Sequence, residues 1–184
     1  MPPALQAFST RRERGKGVES TIARYLRSRG NAVLPMFTPD AEAPEGPRLI
    51  LPEGSGLATP DLLIFSLDGQ RLWVECKSKA AASWHRLSRQ WTVSVNRRHW
   101  QDYGGVAAYT DIPVWLLFLI QSSEPTEADK IQGCPPECPT GLFGRDLPYL
   151  AAHVSHEHEG HPGTIWWALP DLKAIATLEE LRNC

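Results

Sequence analysis

The sequence predicts an α/β fold in which a central mixed β-sheet is flanked by helices, and three observations carry that prediction. Segments of helical and strand period alternate along the chain. Two β-compatible runs, Asp61–Ser66 and Arg71–Lys77, are separated by Leu67-Asp68-Gly69-Gln70, a hairpin signal. Pro113–Ile120 has the uninterrupted apolar composition of a buried strand. A chain of 184 residues, 42% hydrophobic and 22% charged, is long enough to bury one sizeable core.

The elements follow in order. Residues 1–16 are polar and arginine-rich and are expected to be flexible; residues 17–184 are expected to form a single domain. Val18, Ile22, Tyr25 and Leu26 keep helical spacing from Gly17 to Arg29, and Gly30-Asn31 supplies the stop. Ala32–Phe37 reads as a short strand. Residues 38–60 hold five prolines and form a long loop, with a short strand at Arg48–Leu51. After the hairpin, Lys79–Arg98 is amphipathic and basic, and Asn96–Tyr109 looks helical although Gly104-Gly105 weakens it. A polar, proline-rich loop excursion is expected over about 121–163, with a helix at Leu147–Val154. Thr164–Leu169 is the last strand expected, and Pro170 opens a closing helix.

The net charge of −2 conceals a strong partition. Residues 1–29 carry seven basic and two acidic side chains, a balance of +5, and residues 71–99 seven against one, a balance of +6. Residues 124–184 are acidic, with four basic and ten acidic side chains. A polyanion feels such local fields more than the total, although each segment taken alone could equally be a solvated face. No run approaches the ~20 apolar residues of a membrane span, and no apolar region follows the N-terminal arginines, so the cytoplasm is the expected compartment. The four cysteines, Cys76, Cys134, Cys138 and Cys184, give no reason to expect disulfides there.

Three ionisable residues fall on the predicted hairpin: Asp61, Glu75 and Lys77. Glu75 and Lys77 are two apart and emerge on one face of their strand, with Val74 and Cys76 on the other. Carboxylates beside an ammonium suit a hard divalent cation, which takes one or two carboxylates plus water and phosphate oxygens. The register decides whether Asp61 joins them. A two-residue Asp68-Gly69 turn would pair Leu67 with Gln70 and set Asp61 across from Cys76, on the wrong face. A three-residue loop with a left-handed glycine, or a bulge near Pro60, would set Asp61 across from Glu75 or Lys77. An odd loop or a bulge is therefore expected.

Thr59-Pro60-Asp61, the hairpin and Glu75-Cys76-Lys77 together resemble the PD-(D/E)xK signature of the restriction-endonuclease-like superfamily, which includes Holliday-junction resolvases. The resemblance covers roughly residues 17–120. It implies a restriction-endonuclease-like core and a nuclease that uses Mg²⁺, with Mn²⁺ able to substitute. It assigns Asp61 and Glu75 to the metal, Lys77 to the attacking water or the developing negative charge, and Glu19 of the first helix as a further ligand. DNA is the implied partner, with RNA left open and no membrane; resolvases pair as homodimers, but no dimer surface can be read from the sequence. An exonuclease, or a non-catalytic DNA-binding or assembly subunit on the same fold, is the alternative.

Lys79, His85, Arg86, Arg89, Arg97 and Arg98 are candidates for holding a phosphate backbone, which gives affinity without sequence information. Gln90 resembles a polar residue that some members place on the helix after the lysine. Trp84, Trp91, Trp100 and Tyr103, interleaved with these, could stack on unpaired bases but at this spacing are more often core. Cys134 and Cys138, with His153, His156, His158 and His161, are the zinc candidates. Their spacing matches no familiar ligand pattern, and a surface loop with free thiols is the favoured reading.

Overall fold

A computed structural model of the protein describes residues 17–36, 47–160 and 163–184. The basic N-terminal segment, Phe37 and His161 lie outside the described residues. Helix α1, residues 17–28, buries Val18, Ile22 and Tyr25. It ends as the Gly30-Asn31 signal predicts, with Gly30 N–H donating to the Arg27 carbonyl and Asn31 N–H to that of Leu26.

Six strands build the central sheet, in the order β1 (Ala32–Pro35), β4 (Leu62–Phe65), β5 (Arg71–Lys79), β8 (Val114–Ile120), β9 (Gly141–Asp146) and β12 (Lys173–Ala176). β5 and β8 run parallel and the other neighbours antiparallel, so the sheet is mixed. β2 (Arg48–Ile50) and β3 (Gly56–Ala58) form a separate hairpin, of which only the first strand was expected. Helix α2 (Arg97–Thr110) connects towards β8; of its two glycines, Gly105 faces Leu57 of β3, to which a Cβ would lie 2.9 Å, whereas a Cβ at Gly104 would meet nothing.

Two cores lie on the two faces of the sheet. On one face Val18 and Ile22 of α1 and Leu181 of α5 (Leu178–Arg182) meet Val74, Cys76, Leu117 and Leu142. On the other, Tyr103 and Val106 of α2 meet Trp73, Leu116 and Phe118. That face is also covered by a second sheet, ordered β10 (His156–His158), β11 (Thr164–Ala168), β7 (Gln90–Asn96) and β6 (Ser83–His85). Trp91, Val93 and Val95 of β7 and Ile165 and Trp167 of β11 point into this core.

Three sequence expectations need correction. Residues 83–96 form the β6–β7 hairpin, so Gln90 begins a strand and does not sit on a helix after the lysine. The 121–163 excursion is not simply a loop. It contains α3 (Glu127–Ile131), β9, α4 (Leu147–Ala152) and β10, and Asp129 of α3 anchors it by accepting the Trp84 N–H at 2.8 Å. Thr164–Ala168 is not the last strand either; a short 3₁₀ turn at Leu169–Asp171 leads into β12 before the closing helix. No helix among the described residues is long and apolar enough to cross a membrane.

Candidate active site

The β4–β5 turn sets the geometry. Ser66 N–H donates to the Gln70 carbonyl at 2.9 Å and Gly69 N–H to that of Ser66 at 3.0 Å, which leaves Leu67, Asp68 and Gly69 as a three-residue loop. Gly69 has φ +82°, the left-handed conformation such a loop demands. Leu62 then pairs with Val74, and carrying that register on by one residue sets Asp61 across from Glu75. The odd loop expected from the sequence is present.

β4 pairs with only the first half of β5, so the half bearing Glu75, Lys77 and Lys79 continues past it. At that step the Asp61 Oδ2 atom accepts the Cys76 backbone N–H at 2.8 Å. A donor left without a strand partner is thereby satisfied by a carboxylate. Asp61 is held a second way, since its own carbonyl accepts the Met36 N–H at 2.7 Å.

Glu75 is 3% exposed, on the face covered by α2. Its Oε1 is ion-paired with Lys77 Nζ. Lys77 also lies over the ring of Tyr103, 5.9 Å from its centroid. The buried Tyr103 hydroxyl interacts with the Glu75 carboxylate and lies 3.3 Å from His99 Nδ1. Tyr103 and His99 are four apart on α2, so both reach the same side. The i,i+4 spacing within the expected helix was the signal that could have singled them out.

The electrostatics are unbalanced towards negative charge. Burial, and then the charges of Glu75 and Glu19, push the Asp61 carboxyl well above its usual range; Lys77 and the Cys76 N–H only partly oppose them. Burial alone would lower the Lys77 amine, but Glu75 and Asp61 outweigh it and hold that amine above its ordinary value. Lys79, with no carboxylate paired to it among the described residues, is lowered to about 8 by burial and by Lys77. Carboxylates are the ligand type that a hard divalent cation takes, and those on α1, before β4 and on β5 act on one another electrostatically. Among the described residues no three His, Cys, Asp or Glu side chains are placed as a ready metal cluster, and Glu75 is turned to Lys77.

The other candidates are dispersed. Lys79 shares the Glu75–Lys77 face of β5, whereas His85, Arg86, Arg89 and Gln90 lie at the end of the β6–β7 hairpin. Arg97 is ion-paired with Glu157 of β10, and Arg98 is exposed at the start of α2. Trp91 is buried, and Trp100 packs on the buried Trp167. Cys138 is buried, with its thiol pushed up by burial and its sulfur accepting the Ala82 N–H. His153 stacks on Tyr149 and His156 on Trp166, so these zinc candidates are engaged separately.

The mixed central sheet flanked by helices makes this an α/β fold. Among solved structures it is similar to Hjc of Archaeoglobus fulgidus, a Holliday junction resolvase from an archaeal hyperthermophile. The TM-score is 0.51 at 9% identity, over 88% of this chain and 97% of that one. At that identity the likeness is one of fold. No family model and no curated protein matches the chain.

Proposed function

We propose that the protein is a divalent-metal-dependent nuclease that hydrolyses DNA phosphodiester bonds, as an endonuclease directed to structure. The observation that carries this reading is that Asp61, one residue before the Leu62–Val74 pair, accepts the Cys76 N–H and feels the charge of Glu75, with Lys77 on the Glu75 face. The resolvase-like fold supports it. Asp61 and Glu75, with Glu19 from α1, would hold Mg²⁺ or Mn²⁺. Such an ion supplies a Lewis acid for the phosphoryl oxygens and lowers the pKa of bound water.

The chain's own contribution is charge and position. Lys77, held protonated by Glu75, is a fixed cation and not a proton acceptor, suited to the negative charge that grows on the scissile phosphate. Tyr103 keeps Glu75 and Lys77 in place from behind. Lys79 extends positive charge along the same strand face, where it would meet a neighbouring phosphate.

The test is a cleavage panel of plasmid, linear duplex, single strand, flap and four-way junction with Mg²⁺, Mn²⁺ or EDTA. Cleavage that requires the metal and disappears in Asp61→Asn and Lys77→Met is the expected result. Cleavage of nothing in the panel, or undiminished cleavage by either variant, would sink the assignment. The same panel separates endonuclease from exonuclease, because only an endonuclease nicks a closed circle.

A further inference from the structure

The β6–β7 hairpin and the cleft beside it play no part in the chemistry proposed above. The hairpin turns through residues 86–89, and its last turn residue, Arg89, has φ +52°. That left-handed conformation is easy for glycine and strained for arginine. Residues 86–90 are all exposed, and Leu87 at the tip is 81% exposed. Among the described residues no carboxylate pairs with Arg86 or Arg89.

The tip is braced. His85 Nδ1 lies 2.8 Å from Ser88 Oγ within the turn. The His85 ring stacks on His156 at 3.9 Å, and His156 stacks on Trp166 at 5.3 Å, which ties the hairpin to the far strand of its own sheet. Arg89 is therefore presented from a firm support.

Beside Arg89 lies a cleft of about 400 Å³, lined by the half-buried Trp84 and Phe143, the buried Trp91, and the prolines Pro135, Pro139 and Pro170. Arg89 and Gln90 are its polar lining residues. Trp84 and Trp91 meet edge to face at 5.2 Å. Apolar, aromatic walls with a few polar groups are the composition of a small planar ligand's pocket. The partly exposed Trp84, backed by Trp91 and beside an arginine, supplies what a stacked base and its phosphate need.

We infer that this cleft captures an unpaired nucleobase of single-stranded DNA, with Arg89 and Arg86 on the flanking phosphates and Gln90 on the base edge. A base inside a duplex has both faces covered and cannot enter, so the cleft selects unpaired ends or tails. The choice of DNA as the polymer rests on the nuclease reading above.

The test is fluorescence anisotropy on the full chain in EDTA, where nothing is cut. The ligands are a single strand, a blunt duplex and the same duplex with an unpaired tail. The parent should prefer the single strand and the tailed duplex over the blunt one. Arg89→Gly relieves the strained φ, so it should fold at least as stably while binding the tailed duplex about ten-fold more weakly, with the salt slope reduced by about one. Trp84→Leu should lose the preference for the tail; if it does not fold, the exposed Gln90→Ala replaces it. Equal binding of all three ligands by the parent, or unchanged tail binding in Arg89→Gly and the second variant, would overturn the inference, as would a parent that ignores DNA and binds an apolar peptide. A tail preference without cleavage of any substrate would instead sink the nuclease reading and leave the cleft standing.

Discussion

The Asp61 carboxylate accepts the Cys76 backbone N–H at 2.8 Å, so one side chain closes the β4–β5 ladder and also stands among the charges of the candidate site. Asp61→Ala therefore removes more than a candidate metal ligand. It leaves a backbone donor without its acceptor, at a cost of about 1–3 kcal/mol. Asp61→Asn can still accept that hydrogen bond and no longer repels Glu75 and Glu19. It should be at least as stable as the parent in urea unfolding and yet be unable to cut, which separates the two roles.

Glu75 and Lys77 form a largely buried pair. Lys77→Met alone leaves the buried Glu75 carboxyl without its partner and should destabilise by about 3–5 kcal/mol. Adding Glu75→Gln should recover most of that stability without restoring cleavage. If the double variant is no more stable than the single one, the pair is not what holds Glu75 in place.

Lys79 predicts a pH dependence. Burial and Lys77 lower its amine to about 8 from an ordinary 10.5. The unfolded chain thus binds a proton that the folded chain has released between those values, and stability should rise with pH across that window. Lys79→Leu should raise stability by about 2 kcal/mol at neutral pH, with the gain fading as the pH rises from about 8 and gone by 10.5. Denaturant melts of both proteins along a pH series check the sign.

The β4–β5 turn offers a structural control. Leu67 is 89% exposed, and deleting it leaves Asp68-Gly69 as a two-residue loop between Ser66 and Gln70. That sequence favours a tight hairpin turn, so the Asp61–Glu75 alignment and the proposed cleavage should survive the deletion. Gly69→Val forces a β-branched residue to φ +82° and should cost about 1–3 kcal/mol. A deletion that abolishes cleavage while leaving the fold intact would show that register is not the controlling feature.

Much of this was legible in the residues. The Asp68-Gly69 signal and the period of two fixed the hairpin and the common face of Glu75 and Lys77, and helical spacing with Gly30 gave α1 and its end. β9 was not legible, because Gly141, Gly144 and Arg145 interrupt its apolar pattern. Gly144 is required there, since a Cβ would lie 2.6 Å from the Leu116 carbonyl oxygen, so close packing has erased the strand's own signal. The β6–β7 hairpin was obscured differently: its arginines and exposed tip dominated a segment whose Trp91, Val93 and Val95 do alternate. Tyr103 looked like core and is core, and its i,i+4 spacing from His99 was the only sequence hint that its hydroxyl has polar partners.

The three-residue loop has a consequence for the order in which the molecule assembles. A hairpin closes in about 1–10 μs, whereas the parallel β5–β8 pairing must wait for the whole intervening hairpin and helix to be gathered in. Asp61 and Glu75 are thus brought together by one of the most local contacts in the chain, before α2 can deliver Tyr103. Lys77 travels on the same strand as Glu75, so the counter-charge of the folded site arrives with the carboxylate it pairs.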